Sequence, residues 1–227
     1  MTPLVEARDV VLSFGETPAL QGAGLAVARG ELVAVMGASG SGKTTLLHCL
    51  AGILTPASGE VWFDGARIDT LDESARSRLR RERFGFVFQF GQLVPELTAE
   101  ENVALPLLLG GMRRAAAVGE ARTWLARLDL DGLGRRRSGE LSGGQAQRVA
   151  LARGLVASPE VLFADEPTGS LDSLTGEHVM DLLVGTAREQ GTTVVLVTHE
   201  ARVAAYADRE VVVRDGRVSP LSAGVPS

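Results

Sequence analysis

The spacing of apolar and polar positions changes several times along this chain, and each change marks an element. Residues 3–13 alternate loosely and are rich in Val, which predicts a strand. Phe14-Gly15-Glu16-Thr17-Pro18 reads as a turn, and the strand-like pattern resumes over 20–27. A short apolar run over 31–36 reads as a buried strand, and 59–65 reads as a strand closing on an Asp64-Gly65 turn. Residues 72–83 form a polar helix with Asp72 as N-cap, and its arginines read as a solvated face. A strand over 84–89 ends on Gln89. The pattern is then helical from 97 to about 136, in two pieces (100–109 and 115–128) broken at Gly110-Gly111. A further helix over 143–156 stops at Ser158-Pro159. Apolar strands follow at 160–164, 192–198 and 210–214, with a helix over 174–190 between the first two. The tail from Ser219 reads as loose. The later strands and helices alternate, which predicts an α/β fold with a mostly parallel sheet. The early strands form an antiparallel β subdomain, and the helical block is an insertion.

Composition narrows the class. The chain has 227 residues, 45% hydrophobic and 22% charged, enough for one good-sized domain with a subdomain. A net charge of −5 argues against a general nucleic-acid-binding surface, so no nucleic-acid partner is expected. No apolar run approaches the ~20 residues that span a bilayer. The N-terminus lacks a basic head and a long apolar core, so no signal peptide is read, and a cytoplasmic location follows. The single cysteine, Cys49, sits in an apolar helix and reads as buried filler.

The first chemistry lies at Gly37-Ala38-Ser39-Gly40-Ser41-Gly42-Lys43-Thr44, which fits the phosphate-loop pattern. Its glycines let successive backbone N–H groups point into one concavity. Lys43 reaches β- and γ-phosphates, and the Thr44 hydroxyl is placed to ligate Mg²⁺. The preceding run reads as a strand and the segment from Thr45 to Ala51 as a helix, whose N-terminus adds partial positive charge. Lys43 is the only lysine; the chain otherwise uses Arg. A compact ammonium is thus kept where a point charge between phosphates is wanted.

Two further motifs restrict the choice among kinases, GTPases and motors. Val161-Leu162-Phe163-Ala164-Asp165-Glu166 is an apolar strand ending in two carboxylates. Asp165 can hold Mg²⁺ through water, and Glu166 is positioned to orient or deprotonate an attacking water. Leu141-Ser142-Gly143-Gly144-Gln145 opens a helix and forms a second anion nest. One nucleotide hardly needs two nests from one subunit, so the second serves the nucleotide of another subunit.

The phosphate loop, Gln89, Leu141 to Gln145, Asp165-Glu166, Ser170-Leu171-Asp172 and His199 together resemble the motif set of the ATP-binding subunits of ABC transporters, over residues 4 to about 218. The resemblance implies one ABC ATP-binding domain over 1–227, a P-loop NTPase core with a helical subdomain inserted at about 90–157. It implies ATP and Mg²⁺ as ligands and a dimer, most simply of identical chains, with two ATP molecules between loop and signature. It assigns adenine stacking to Phe14, Mg²⁺ and water sensing to Gln89, and the partner's γ-phosphate to Ser142, Gly143 and Gly144, with Gln145 completing the motif. Asp172 matches the loop that crosses the dimer and His199 the switch histidine that contacts γ-phosphate. With Lys43, Gln89, Glu166 and His199 present, hydrolysis is expected.

The segment Phe88-Gln89-Phe90, Leu93 to Val103 and Leu105-Pro106-Leu107 resembles the branch that releases lipoproteins, exports macrolides or peptides, or resists antimicrobial peptides. That resemblance implies an integral membrane permease as partner and a peripheral place on the cytoplasmic face of the membrane. The apolar stretch after Gln89 is the expected docking surface. An ATPase that drives cell-wall hydrolases through a permease-like partner and a soluble ABC ATPase are the alternatives. Ser138-Gly139, where relatives often carry Pro-Ser, implies a slightly looser lead-in to the signature. Ala146 stands where a polar residue is frequent.

Overall fold

The computed structural model describes residues 2–89 and 91–220. The chain divides into two compact units, the first drawn from Met1–Arg76 and Val195–Ser227, the second from Ser77–Val194. The strands and helices are those of a mixed α/β protein with parallel and antiparallel sheets.

The first unit opens with β1 (Val5–Phe14) and β2 (Thr17–Val27), paired antiparallel, with β4 (Ser58–Phe63) on the other side of β1 and β5 (Ala66–Arg67) beyond it. Alternation sends Val5, Val10, Leu12, Leu20, Ala23, Leu25 and Val27 into the core. The first turn is tighter than its sequence suggests. Phe14 pairs with Thr17, and Pro18 is already in β2, so only Gly15 and Glu16 turn. The Asp64-Gly65 turn forms as expected, with both residues at positive φ. β3 (Leu32–Met36) leads into α1 (Lys43–Leu50). β9 (Arg209–Arg214) runs parallel to β3, and β10 (Arg217–Pro220) returns antiparallel to β9. Ser219 and Pro220 pair with Val212 and Val211, so the tail does not loosen at Ser219; residues 221–227 lie outside the described residues. The Asp215-Gly216 hairpin was legible as a turn-forming pair followed by Val218.

α2 (Glu73–Arg83) crosses the boundary between the units. Asp72 caps it, its Oδ1 accepting from Ala75 N at 2.8 Å. No α2 residue is buried, as a solvated helix requires.

In the second unit β6 (Phe84–Phe88) and β7 (Val161–Asp165) pair in parallel, with Phe84 edge-on to Phe163. Its helices are α3 (Ala99–Leu109), α4 (Arg114–Arg127), α5 (Gly143–Leu155) and α6 (Ser173–Gln190). α3 starts with a capping box between Thr98 and Glu101. Buried Asn102 accepts from Val94 N and donates to the carbonyls of Val94, Leu97 and Thr98, fixing the segment before the helix. The lead-in to the signature is ordered: Ser138–Glu140 forms a 3-10 turn, and Glu140 Oε2 accepts from Arg137 N at 2.8 Å. The Glu140 carboxylate supplies the cap of this turn. β8 (Thr193–Val197) begins in the second unit and ends in the first, before the short α7 (Ala201–Ala204). No helix among the described residues is long and apolar enough to cross a membrane.

Candidate functional site

In the first unit the loop 37–44 builds a cradle. Gly42 is the N-cap of α1, left-handed at φ 106°, and it contributes no side-chain acceptor to the first helical turn. Gly37 must be glycine: its φ is +149°, and a methyl there would lie 2.3 Å from Val213 O and 2.7 Å from Ser41 Oγ. Lys43 is 7% exposed, and its Nζ donates to Gly37 O and Ala38 O, both at 2.9 Å. An ammonium has three donors, so one remains to be directed at an oxygen in the loop. Ser41 Oγ is buried without a hydrogen-bond partner among the described residues. A buried hydroxyl without a partner, one residue before the N-cap of a helix, is what a phosphate oxygen satisfies. Thr44 is exposed, and Thr45 half-buried, in the first turn of α1.

Sequence reading missed what stands behind this loop. Gly216 of the β9–β10 hairpin donates to Ser41 O at 3.0 Å and accepts from Gln21 N at 2.9 Å, tying the loop to β2. His199 emerges at the same edge. Thr198 N donates to Val35 O at 3.2 Å, which sets the end of β8 beside the end of β3, and His199 follows exposed to solvent. Phe14 is 56% exposed at the end of β1, a face able to stack on a ring. Cys49 is fully buried, as expected, and burial pushes its thiol up to about 12.

The second unit gathers the remaining groups. Phe88 pairs with Asp165, so the residues after both strands leave the same edge. A methyl on Gly169 would lie 2.9 Å from Gln89 Nε2 and 3.2 Å from Glu166 Oε2; the amide and the carboxylate thus converge on one glycine. Glu166 sits at φ +49°, a left-handed conformation that costs a non-glycine residue about 1 kcal/mol. Such strain belongs where a side chain is being aimed.

The signature sits at the start of α5. Ser142 Oγ accepts from Gln145 N at 3.3 Å and Gln145 Oε1 from Ser142 N at 2.9 Å, a reciprocal cap. The N–H groups of Gly143 and Gly144, in the first helical turn, have no intrahelical acceptor. Gly144 is buried, and a methyl on it would meet Thr175 Cγ2 at 2.3 Å. Its neighbour Asp172 caps α6, accepting from Thr175 N at 3.1 Å. Hydrogen bonds from the Thr175 side chain and backbone hold this carboxyl below its ordinary value. Signature and Asp172 are therefore neighbours at two adjacent helix starts. Phe90 lies outside the described residues.

The sites thus fall into two sets. Loop, Phe14 and His199 belong to the first unit; Gln89, Asp165, Glu166, signature and Asp172 belong to the second. Thr44 in the first unit carries a hydroxyl, and Gln89 and Asp165 in the second carry an amide and a carboxylate, each an oxygen donor of the kind Mg²⁺ takes. A phosphate cradle on a strand–helix turn, with acids at the end of a parallel strand, defines a nucleoside triphosphatase of the phosphate-loop class.

The chain belongs to the ABC transporter family, whose model matches residues 20–169. It is 45% identical over 96% of its length, and over 99% of the relative, to the "Lipoprotein-releasing system ATP-binding protein LolD" of Geobacter metallireducens. It is 50% identical, over 84% of both chains, to the protein of the same name from Syntrophotalea carbinolica. Among solved structures it matches a dimeric post-hydrolysis state of the ATP-binding cassette MJ0796, bound to ADP and Pi. That match has a TM-score of 0.87 and 38% identity, covering 97% of this chain and all of that one. The chain is thus an ATP-binding, ATP-hydrolysing subunit of an ABC transporter.

Proposed function

We propose that this subunit drives a lipoprotein-release transporter: two copies close on two ATP molecules and pull on an integral membrane permease. The observation that carries the transport class is the 45% identity to a lipoprotein-releasing ATP-binding protein, spanning 99% of that relative. The chain forms a single ABC domain over 1–227, with its helical subdomain at about 90–157, and sits peripherally on the cytoplasmic face of the membrane.

In this reading residues 37–45 wrap the phosphates of ATP, with Lys43 and the Ser41 hydroxyl on the anionic oxygens, and Phe14 stacks on the adenine. Thr44, Gln89 and Asp165 hold Mg²⁺, which when bound offsets charge on the β- and γ-phosphates. Glu166 accepts a proton from water as its oxygen attacks the γ-phosphorus; the bond to the β–γ bridging oxygen breaks and ADP leaves. His199 steadies the γ-phosphate. Ser142, Gly143, Gly144 and Gln145 meet the γ-phosphate bound by the other copy, and Asp172 lies along the contact between copies. Leu93, Val94 and Leu97, half-buried after Gln89, form the apolar seat for the permease. ATP moves the permease only if the permease binds the open and closed dimers differently.

The test is to extract the tagged chain from its native membranes, identify what accompanies it, and reconstitute that complex in vesicles carrying an acylated lipoprotein. An integral membrane protein in fixed ratio, with ATP-dependent lipoprotein release, is the expected result. A complex with no integral membrane protein, or one that hydrolyses ATP without releasing lipoprotein, overturns the reading.

A further inference from the structure

The turn that carries Gln89 is held on both sides by the helix that begins at the signature. Gly91 N donates to Phe88 O at 3.1 Å, turning the backbone back just after Gln89. The same Phe88 O accepts from Gln147 Nε2 at 3.1 Å, and Gln147 is 1% exposed. Past the turn the backbone is left-handed twice, at Gly91 (φ 69°) and Gln92 (φ 44°). The two carbonyls meet a single guanidinium: Arg153 donates from Nη2 to Gly91 O and from Nη1 to Gln92 O, both at 2.9 Å. Its partners are these carbonyls rather than a carboxylate, and burial pulls its pKa down. Desolvating a charge against neutral acceptors is costly, and so is a left-handed Gln92. Packing alone calls for neither.

Gln147 and Arg153 both lie on α5, whose cap is Ser142. The helix runs about 16 Å from cap to Arg153. It lies on β6 at backbone range, since a methyl on Gly85 would come within 2.1 Å of Gly154 O. A force applied at the signature is therefore delivered to the Gln89 turn through one rigid rod.

We propose that Arg153, supported by Gln147, is a positioning residue for ATP hydrolysis: it ties the Gln89 turn to α5, so that occupation of the signature sets where the Gln89 amide stands. This rests on the reading of Gln89 as a magnesium and water contact. The planar fork holds both carbonyls with two nitrogens fixed in one plane, a geometry that the single ammonium nitrogen of Lys reproduces only in part.

The experiment compares the full-length chain with Arg153→Met, Arg153→Lys, Gln89→Ala and the Arg153→Met/Gln89→Ala pair. It measures ATP hydrolysis against Mg²⁺ concentration, ATP binding, and amide hydrogen exchange at 88–92. For Arg153→Met the expected result is kcat about 10-fold lower, a Mg²⁺ requirement raised several-fold, ATP affinity within about twofold, and about 10-fold faster exchange at the turn. Arg153→Lys should recover only part of this. In the Gln89→Ala background Arg153→Met should cost no further rate, because the two act through one group. Gln147→Leu, which removes the other tie, should act the same way more weakly, so the outcome does not hang on one variant folding. Wild-type kcat and Mg²⁺ dependence in Arg153→Met, or losses that multiply in the double variant, overturn the proposal. Wild-type hydrolysis by Gln89→Ala overturns it too, through the reading of Gln89; that failure is recognised because exchange at 88–92 still rises in Arg153→Met. Unchanged exchange there marks failure of the tie itself.

Discussion

Gly144→Ala is the most quantitative perturbation the signature offers. The added methyl would sit 2.3 Å from Thr175 Cγ2, more than about 1 Å inside ordinary carbon–carbon contact. Forcing one such group into a packed helix junction costs about 1–3 kcal/mol. Replacing Gly by Ala in a helix returns at most about 1 kcal/mol, less in the first turn. The net expectation is a loss of about 1–2 kcal/mol, a drop in Tm of about 2–8 °C for a chain of this length. Thr175→Ser removes only the offending methyl. It keeps the hydroxyl that, with Thr175 N, bonds Asp172, so the cap of α6 survives. By itself it should cost under about 1 kcal/mol. In the double variant the new methyl occupies the space of the old one. Stability should return to within about 0.5 kcal/mol of wild type, a coupling of at least about 0.5 kcal/mol. The assay is thermal and urea unfolding of the four proteins without nucleotide. A Gly144→Ala protein as stable as wild type, or a double variant whose loss is the sum of the singles, refutes the reasoning that α5 and α6 meet at this glycine.

Two further outcomes test the chemistry. Glu166→Gln keeps the shape of the side chain but cannot accept the proton of water; ATP binding should persist while hydrolysis falls at least ~10²-fold, and single-turnover rates near wild type would remove Glu166 as the base. Lys43→Ala and Ser142→Asp should each be inactive, the first without ATP binding and the second with it. An equal mixture should regain up to about a quarter of the wild-type rate, since half the dimers are mixed and each has one intact loop facing one intact signature. Mixed dimers that form but stay inactive, or a Ser142→Asp protein that hydrolyses ATP normally, contradict the composite site.

Local chemistry was legible in the sequence; long-range support was not. The loop, the strand-end acids and the signature are contiguous runs whose glycines and carboxylates must sit at fixed offsets, so reading them required no tertiary structure. Element types followed for the same reason, with the 3.6-residue and 2-residue periods carrying α3 to α6 and β1 to β4. Boundaries moved where a side-chain or hairpin contact decided them. Phe14 stays in β1 because Thr17 pairs with it, and Ser219 is ordered because Val212 lies opposite. Arg153 and Asn102 gave no local signal, and Gly216 signalled only a turn. Arg153 is six residues from Gln147 on one helix, yet it serves carbonyls 61 and 62 residues away. Gly216 sits in a turn of the kind hairpins commonly use, and its bonds to Ser41 and Gln21 show that the loop leans on it. Such residues are found by asking which groups a site residue's backbone touches, a question the linear chain does not pose.

Ser142 and Asp172 are caps in their own chain as well as proposed contacts to the other copy, and this decides which substitutions are informative. Ser142→Ala deletes the acceptor for Gln145 N and costs about 1 kcal/mol of helix stability, so any loss of activity would mix unfolding of the first turn with loss of a phosphate contact. Ser142→Asp separates the two. Aspartate caps as well as serine, and its carboxylate suits a helix N-terminus, so α5 should start where it does now. The same carboxylate faces whatever anion approaches Gly143 and Gly144. Two unit charges at about 4 Å repel by about 4 kcal/mol at a partly shielded surface, some three powers of ten in affinity. The variant should therefore melt like wild type and bind its own ATP through Lys43, yet fail to close on the other copy's nucleotide. Normal closure of that protein would mean that no phosphate comes to this helix, whatever the signature resembles.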